Sequence, residues 1–103
     1  MREQSFLILT ALAGGPAHGY GVMQQALDLS GGRVRLRPGT LYTALDRLVG
    51  DGLVAVDGEE VVDGRNRRYY AITPAGRDAL AEHADRWAAN VAVARRRLRV
   101  GVA

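Results

Sequence analysis

The run Pro38-Gly39-Thr40-Leu41-Tyr42-Thr43-Ala44-Leu45-Asp46-Arg47-Leu48-Val49-Gly50 decides how this chain folds. Pro38 has the backbone angle of a first helical turn and lacks a donor where none is needed. It also pushes Arg37 out of the helical region, so the helix starts at the proline. Leu41, Ala44, Leu45 and Leu48 then fall on one apolar stripe at helical spacing. Gly39, Thr43, Asp46 and Arg47 face the other way, with Thr40 and Tyr42 on the flanks. Asp51-Gly52 ends the helix.

Upstream, the run Phe6–Ala13 is apolar except for Thr10 and is stopped by Gly14-Gly15-Pro16. Gly19 to Leu29 reads as a second helix, stopped by Ser30-Gly31-Gly32. Val34 and Leu36 alternate with Arg33, Arg35 and Arg37, the pattern of a short strand or extended stretch. Downstream, Leu53–Asp57 and Arg67–Ile72 read as the strands of a hairpin. Between them lies the polar, acidic stretch Gly58–Asn66, with the turn dipeptide Asp63-Gly64. Thr73-Pro74 is a helix cap followed by a first-turn proline. The last helix runs to about Val100, and its residues Leu80, Ala84, Trp87, Val91, Ala94 and Leu98 form an a/d heptad seam. The order is helix, helix, short strand, helix, strand, wing, strand, long helix. That is a mainly α fold with a small β-hairpin wing: a winged helix-turn-helix with a long C-terminal dimerisation helix. It divides into 1–73 and 74–103.

With 103 residues the chain holds one core and no cleft between lobes. No cysteine is present, which removes thiolate metal sites, disulfides and cysteine nucleophiles. No catalytic triad, metal-ligand spacing or phosphate-cradling loop stands out, so neither an enzyme nor a cofactor is expected. All fourteen cations are arginine and the net charge is +3, but residues 38–72 carry −2. Nucleic-acid contact must therefore come from local clusters, chiefly Arg33/Arg35/Arg37 and Arg65/Arg67/Arg68. Arg95-Arg96-Arg97 with Arg99 reads first as a solvated run. Phe6–Ala13 is far too short to span a bilayer, and Arg2 is offset by Glu3, against a signal peptide. A cytoplasmic protein without a membrane partner is expected.

A helix that buries one face and offers short polar side chains on the other suits a DNA major groove. Thr40, Thr43 and Arg47 meet that need, and Tyr42 can reach a phosphate. Spacing alone serves an ordinary amphipathic helix equally well, and Arg47 sits where a helix-dipole contact also accounts for it. In the wing, Arg65 and Arg67 rank above Arg68, which strand alternation places with Tyr70 and Ile72 and so near a carboxylate at the domain edge. Tyr20 is balanced between a phosphate contact and packing. His18 lacks a second ligand and reads as structural at the start of the second helix. Trp87 lies on the seam, where two copies can meet across a twofold axis, with room left by Ala84, Ala88 and Ala89. It either fills the dimer core or sandwiches a flat aromatic ligand. The first helix is apolar on nearly every side and needs cover on both faces, one from the core and one from a partner's last helix.

Four segments together resemble the PadR family of bacterial transcriptional regulators over nearly the whole chain. They are Phe6–Leu12 with Pro16-Ala17-His18-Gly19-Tyr20; Pro38–Leu48 followed by Asp51-Gly52-Leu53-Val54; Gly64-Arg65-Asn66-Arg67-Arg68-Tyr69-Tyr70-Ala71-Ile72-Thr73; and Pro74-Ala75-Gly76-Arg77. The resemblance is to the short subfamily with one C-terminal helix. It implies a dimeric repressor that holds a double-stranded DNA operator and releases it when an effector binds. Asn66 departs from the family at a wing-tip position associated with proline or another small residue. The expected DNA-binding residues are Tyr20, Arg37, Thr40, Tyr42, Thr43, Arg47, Arg65, Arg67 and Arg68. A small planar aromatic effector is expected at Ala84, Trp87 and Val91. Homodimerisation is expected through Phe6, Leu9, Leu80, Ala84, Trp87, Val91 and Leu98. The competing expectation is a dimeric winged-helix interaction module that does not read DNA sequence, supported by the acidic middle of the chain.

Overall fold

In the computed structural model, which describes residues 1–101, four helices and three strands follow one another. They are α1 (Glu3–Ala13), β1 (Ala17–His18), α2 (Gly19–Leu29), α3 (Pro38–Gly50), β2 (Val54–Val62), β3 (Arg65–Ile72) and α4 (Pro74–Gly101). Residues 102–103 of the expected C-terminal unit lie outside the described residues.

The core is aliphatic and sits among the first three helices. Ile8, Leu9 and Leu12 of α1, Val22 and Ala26 of α2, and Leu41, Leu45 and Leu48 of α3 are all buried. Val54 and Tyr70 close it from the sheet side. The stripe expected on α3 is thus the buried one. Helix ends follow their capping residues. Gly76 N–H donates to the Thr73 hydroxyl at the start of α4 (3.0 Å), and that hydroxyl donates to the Gly52 carbonyl (2.6 Å).

Three local expectations are corrected. Residues 33–37 form no strand; the alternation there buries Leu36 and half-buries Val34 against the core, without a pairing partner. The Ser30 hydroxyl steers this linker by accepting from Val34 N–H (2.8 Å). The short strand lies instead at Ala17–His18, beside β3 in a sheet of order β1-β3-β2. Finally, the hairpin is longer than expected: Gly58–Asn66 is mostly strand, and only Asp63-Gly64 turns. Both turn residues have positive φ (51° and 74°), the two-residue geometry whose twist matches the flanking strands. Most of β2 is exposed, so no apolar alternation announced it. Val56 faces Tyr70 and Gly58 faces Tyr69, leaving Asp57 as an extra, bulged residue that bends the wing.

The cover of α1 also differs. The chain's own α4 lies on its outer side. Phe6 stacks on Trp87 (ring centroids 5.0 Å apart, 22° between planes), and His83 tilts against both rings. Leu9, expected at a dimer interface, is 0% exposed within its own chain and is a core residue. Phe6 and Leu80 are likewise turned towards their own domain.

His83 is only 7% exposed, and neither ring nitrogen has a hydrogen-bond partner among the described residues. Burial, helped by the N-terminal ammonium and Arg86, holds its pKa below the usual imidazole value. In the unfolded chain this histidine takes up a proton near pH ~6.5, which the folded chain resists. Its effect on stability is therefore absent above that pH and grows unfavourable as pH falls towards the folded pKa. Thermal unfolding between pH 7.5 and 5 should show a steeper loss of Tm in wild type than in His83→Phe. Parallel curves would refute this.

Candidate nucleic-acid interface

The exposed face of α3 is flanked by two depressions. On one side a groove of about 850 Å³ runs between α3, the start of α2 and the wing. Its walls include Tyr20, Tyr42, Asp46, Arg65, Arg67 and Arg68. On the other side a cleft of about 310 Å³ lies between α3 and the start of α1, with Thr40, Thr43 and Arg47 facing Arg2, Gln4 and Ser5.

Local chemistry explains how each wall is held. His18 caps α2: its Nδ1 accepts from Gly21 N–H (3.1 Å), and its ring meets Tyr69 edge-on (5.6 Å). This is the structural role expected of it. Gly19 has no space for a Cβ, because the Tyr42 phenol rests against its backbone. That contact aims Tyr42 along the groove while leaving it exposed. Tyr20, one residue on, is 72% exposed, so it does not serve the core.

Within the wing the charges sort themselves. Glu59 lies opposite Arg68 in the register and pairs with its Nε (3.3 Å). Asn66, the second residue of β3 after the Asp63-Gly64 turn, donates its Nδ2 to the same carboxylate (3.2 Å). The Glu60 carboxylate accepts from the Tyr69 hydroxyl, which raises the pKa of Tyr69. Arg68 thus has the carboxylate partner that strand alternation suggested. Arg65 and Arg67 have no ion pair among the described residues. Arg33 is also engaged: it grips Glu3 with both guanidinium nitrogens, and their hydrogen bonds lower the Glu3 pKa.

The groove therefore brings together Tyr20, Tyr42, Arg65, Arg67 and Arg68, and the cleft brings together Thr40, Thr43 and Arg47. Arg37 precedes α3 as its N-cap residue, exposed and lining neither. Sequence reading did not single out Asp46, Arg2, Gln4 or Ser5 as lining residues. The helical wheel placed Asp46 on the exposed face, which was signal enough; the approach of α1 to α3 had no local signal.

Ala84, Trp87 and Val91 lie on one side of α4, away from both depressions. Ala84 is half-buried, Trp87 is 36% exposed beyond its stack on Phe6, and Val91 and Leu98 are exposed.

Comparison with known proteins gives this geometry a setting. The transcriptional regulator Rv3488 of Mycobacterium tuberculosis is 49% identical over 75 residues, covering 73% of this chain. The match spans 66% of that relative, just under two thirds of its length. A transcriptional regulator of Clostridium thermocellum superposes with a TM-score of 0.75 at 25% identity, over 86% of each chain. Bacillus subtilis PadR, solved in complex with operator DNA, shares the fold at 20% identity with a TM-score of 0.69, over 79% of this chain and 46% of its own. Residues 8–82 match the transcriptional regulator PadR-like family, which is a family of regulators rather than enzymes. The chain belongs to the PadR-like family of transcriptional regulators.

Proposed function

We propose that the chain binds DNA sequence-specifically as a ligand-responsive homodimeric repressor, with an inverted-repeat operator. The observation that carries this reading is the groove beside α3, where unpaired Arg65 and Arg67 share walls with exposed Tyr20 and Tyr42. Guanidinium and phenol groups on one concave surface suit a phosphate backbone, and α3 beside them suits a major groove. Thr40, Thr43 and Arg47 then face base edges or the opposite strand, Arg37 leads into the helix, and Arg68 stiffens the wing through Glu59. The fold shared with Bacillus subtilis PadR, solved on operator DNA, supports this arrangement. The interaction-module reading drew on the acidic middle of the chain, but Glu59 and Glu60 are engaged inside the wing.

Dimerisation is assigned to the far half of α4. Val91 and Leu98 continue the seam beyond Trp87 and are exposed. A second copy of the seam buries them, as in a coiled coil. The twofold then sets two copies of α3 about one helical turn, ~10 bp, apart. The outer face of Trp87, beside Ala84 and Val91, offers a planar aromatic effector a stacking surface at that interface. Binding there changes the angle between the two α4 helices and with it the spacing of the α3 pair.

Three outcomes follow from this reading. With Arg65→Ala and Arg67→Ala together, anisotropy titrations on any duplex should show weaker binding. The slope of log affinity against log salt should shrink by about 1 for each phosphate no longer neutralised. An unchanged slope would remove the wing from the interface. Sedimentation equilibrium of Val91→Glu with Leu98→Glu should give a monomer, since like charges and the loss of apolar burial oppose the seam; a persistent dimer rejects α4 as the interface. Trp87→Ala should abolish release by aromatic effectors while operator binding survives, and loss of both would show that Trp87 is only structural.

A further inference from the structure

Two of the four wing carboxylates have a side-chain partner. Glu59 holds Arg68 and Asn66, and Glu60 holds Tyr69, whereas the carboxylate of Asp63, at the positive-φ turn, has no hydrogen bond or ion pair among the described residues. Asp46 also has none. It is exposed on α3, lines the groove with Tyr42, Arg65 and Arg67, and has no hydrogen bond or ion pair among the described residues. On the helix it lies one turn beyond Tyr42, on the arc between Tyr42 and Thr43, at about 100° per residue. It is therefore near the middle of the face that the proposed interface turns to DNA, not at its rim.

An ionised carboxylate only accepts hydrogen bonds. Phosphates offer it no donor and repel it, whereas a base amine can donate to it. The major groove has two such amines, adenine N6 and cytosine N4. Beside adenine N6 lies N7, an acceptor that repels a carboxylate; cytosine presents its amine without one. We propose that Asp46 is a specificity-determining residue that accepts a hydrogen bond from a cytosine N4 amine in each half-site. This rests on the DNA-binding reading above and names one base pair that it selects. Asp46 lies about 4.5 Å along the helix from Thr43, a little more than one ~3.4 Å base-pair step. The two side chains thus address neighbouring base pairs. The unpaired Arg65 and Arg67 across the groove offset the carboxylate's repulsion of the backbone.

Selection from a random duplex library with wild type, Asp46→Ala and Asp46→Asn, followed by anisotropy on every single-base variant of the selected site, tests this. Wild type should select one C·G pair per half-site, whose replacement weakens binding about tenfold. Asp46→Ala should lose that preference to within about twofold. Asp46→Asn should move it towards A·T, since an amide can both donate to and accept from adenine. Thermal melts check that both variants are folded. The proposal is overturned if Asp46→Ala keeps the wild-type base preference everywhere, or binds all duplexes uniformly tighter, as a merely repelling charge would require. A wild type that selects no sequence overturns the DNA-reading function itself, and this assignment with it. A selective wild type with an unchanged variant overturns only the role of Asp46.

Discussion

The structure depends on covering α1. Leu7, Ile8, Leu9, Ala11 and Leu12 are buried on a helix of eleven residues, so its apolar surface exceeds what one neighbour can shield. Helices α2 and α3 with the sheet take the inner side. On the outer side, Phe6 is left for α4, which supplies Trp87 and His83. Fully burying an aliphatic side chain contributes roughly 1.5–3 kcal/mol, so leaving a side of this helix wet would forfeit much of a small domain's stability. One helix thereby fixes the start of α4 relative to the unit that carries α3. Phe6, His83 and Trp87 join the contacts of Arg77 with Ala13 and of Leu80 with the core in tying α4 to that unit.

The wing follows a different constraint. A hairpin exposed along most of one strand cannot rely on burial, and its shape comes from backbone geometry and cross-strand pairs. The Asp63-Gly64 turn sets its twist, the bulge at Asp57 bends it, and the Glu59–Arg68 and Glu60–Tyr69 contacts hold its two strands in register. Exposed ion pairs add little stability. Their larger effect is to engage Glu59 and Glu60 within the wing, while Arg65 and Arg67 stay out of any ion pair among the described residues. The acidic composition of residues 38–72 is thus no guide to the surface they present.

Much of this was legible from residue order. The stripe Leu41, Ala44, Leu45 and Leu48 on a proline-started helix located α3 to its ends, and Thr73-Pro74 located the start of α4. Placement of Tyr20, Tyr42 and the wing arginines around one groove extends what four short motifs implied. Less was legible where tertiary pairing overrides local pattern. Val34 and Leu36 alternate like a strand but only follow the core surface, whereas Ala17–His18 forms a strand because β3 lies beside it. Two residues carry no periodicity, so no local rule could have found it. The heptad seam did not reveal that Leu80 packs against the core and Trp87 stacks on Phe6 of the same chain.

From its sequence alone, the bounds of α2 and α3, the start of α4, the hairpin turn, the core stripe and the cation inventory were determined, since each depends on neighbours within one or two turns of chain. Only the tertiary structure decided which cations stay free, which face of α1 the chain covers itself, and that Asp46 stands unpaired among arginines. Those outcomes turn on contacts between residues far apart in the chain, such as Glu3 with Arg33 and Phe6 with Trp87. Periodicity states that a side chain has a buried or an exposed side, and packing alone states what meets it there.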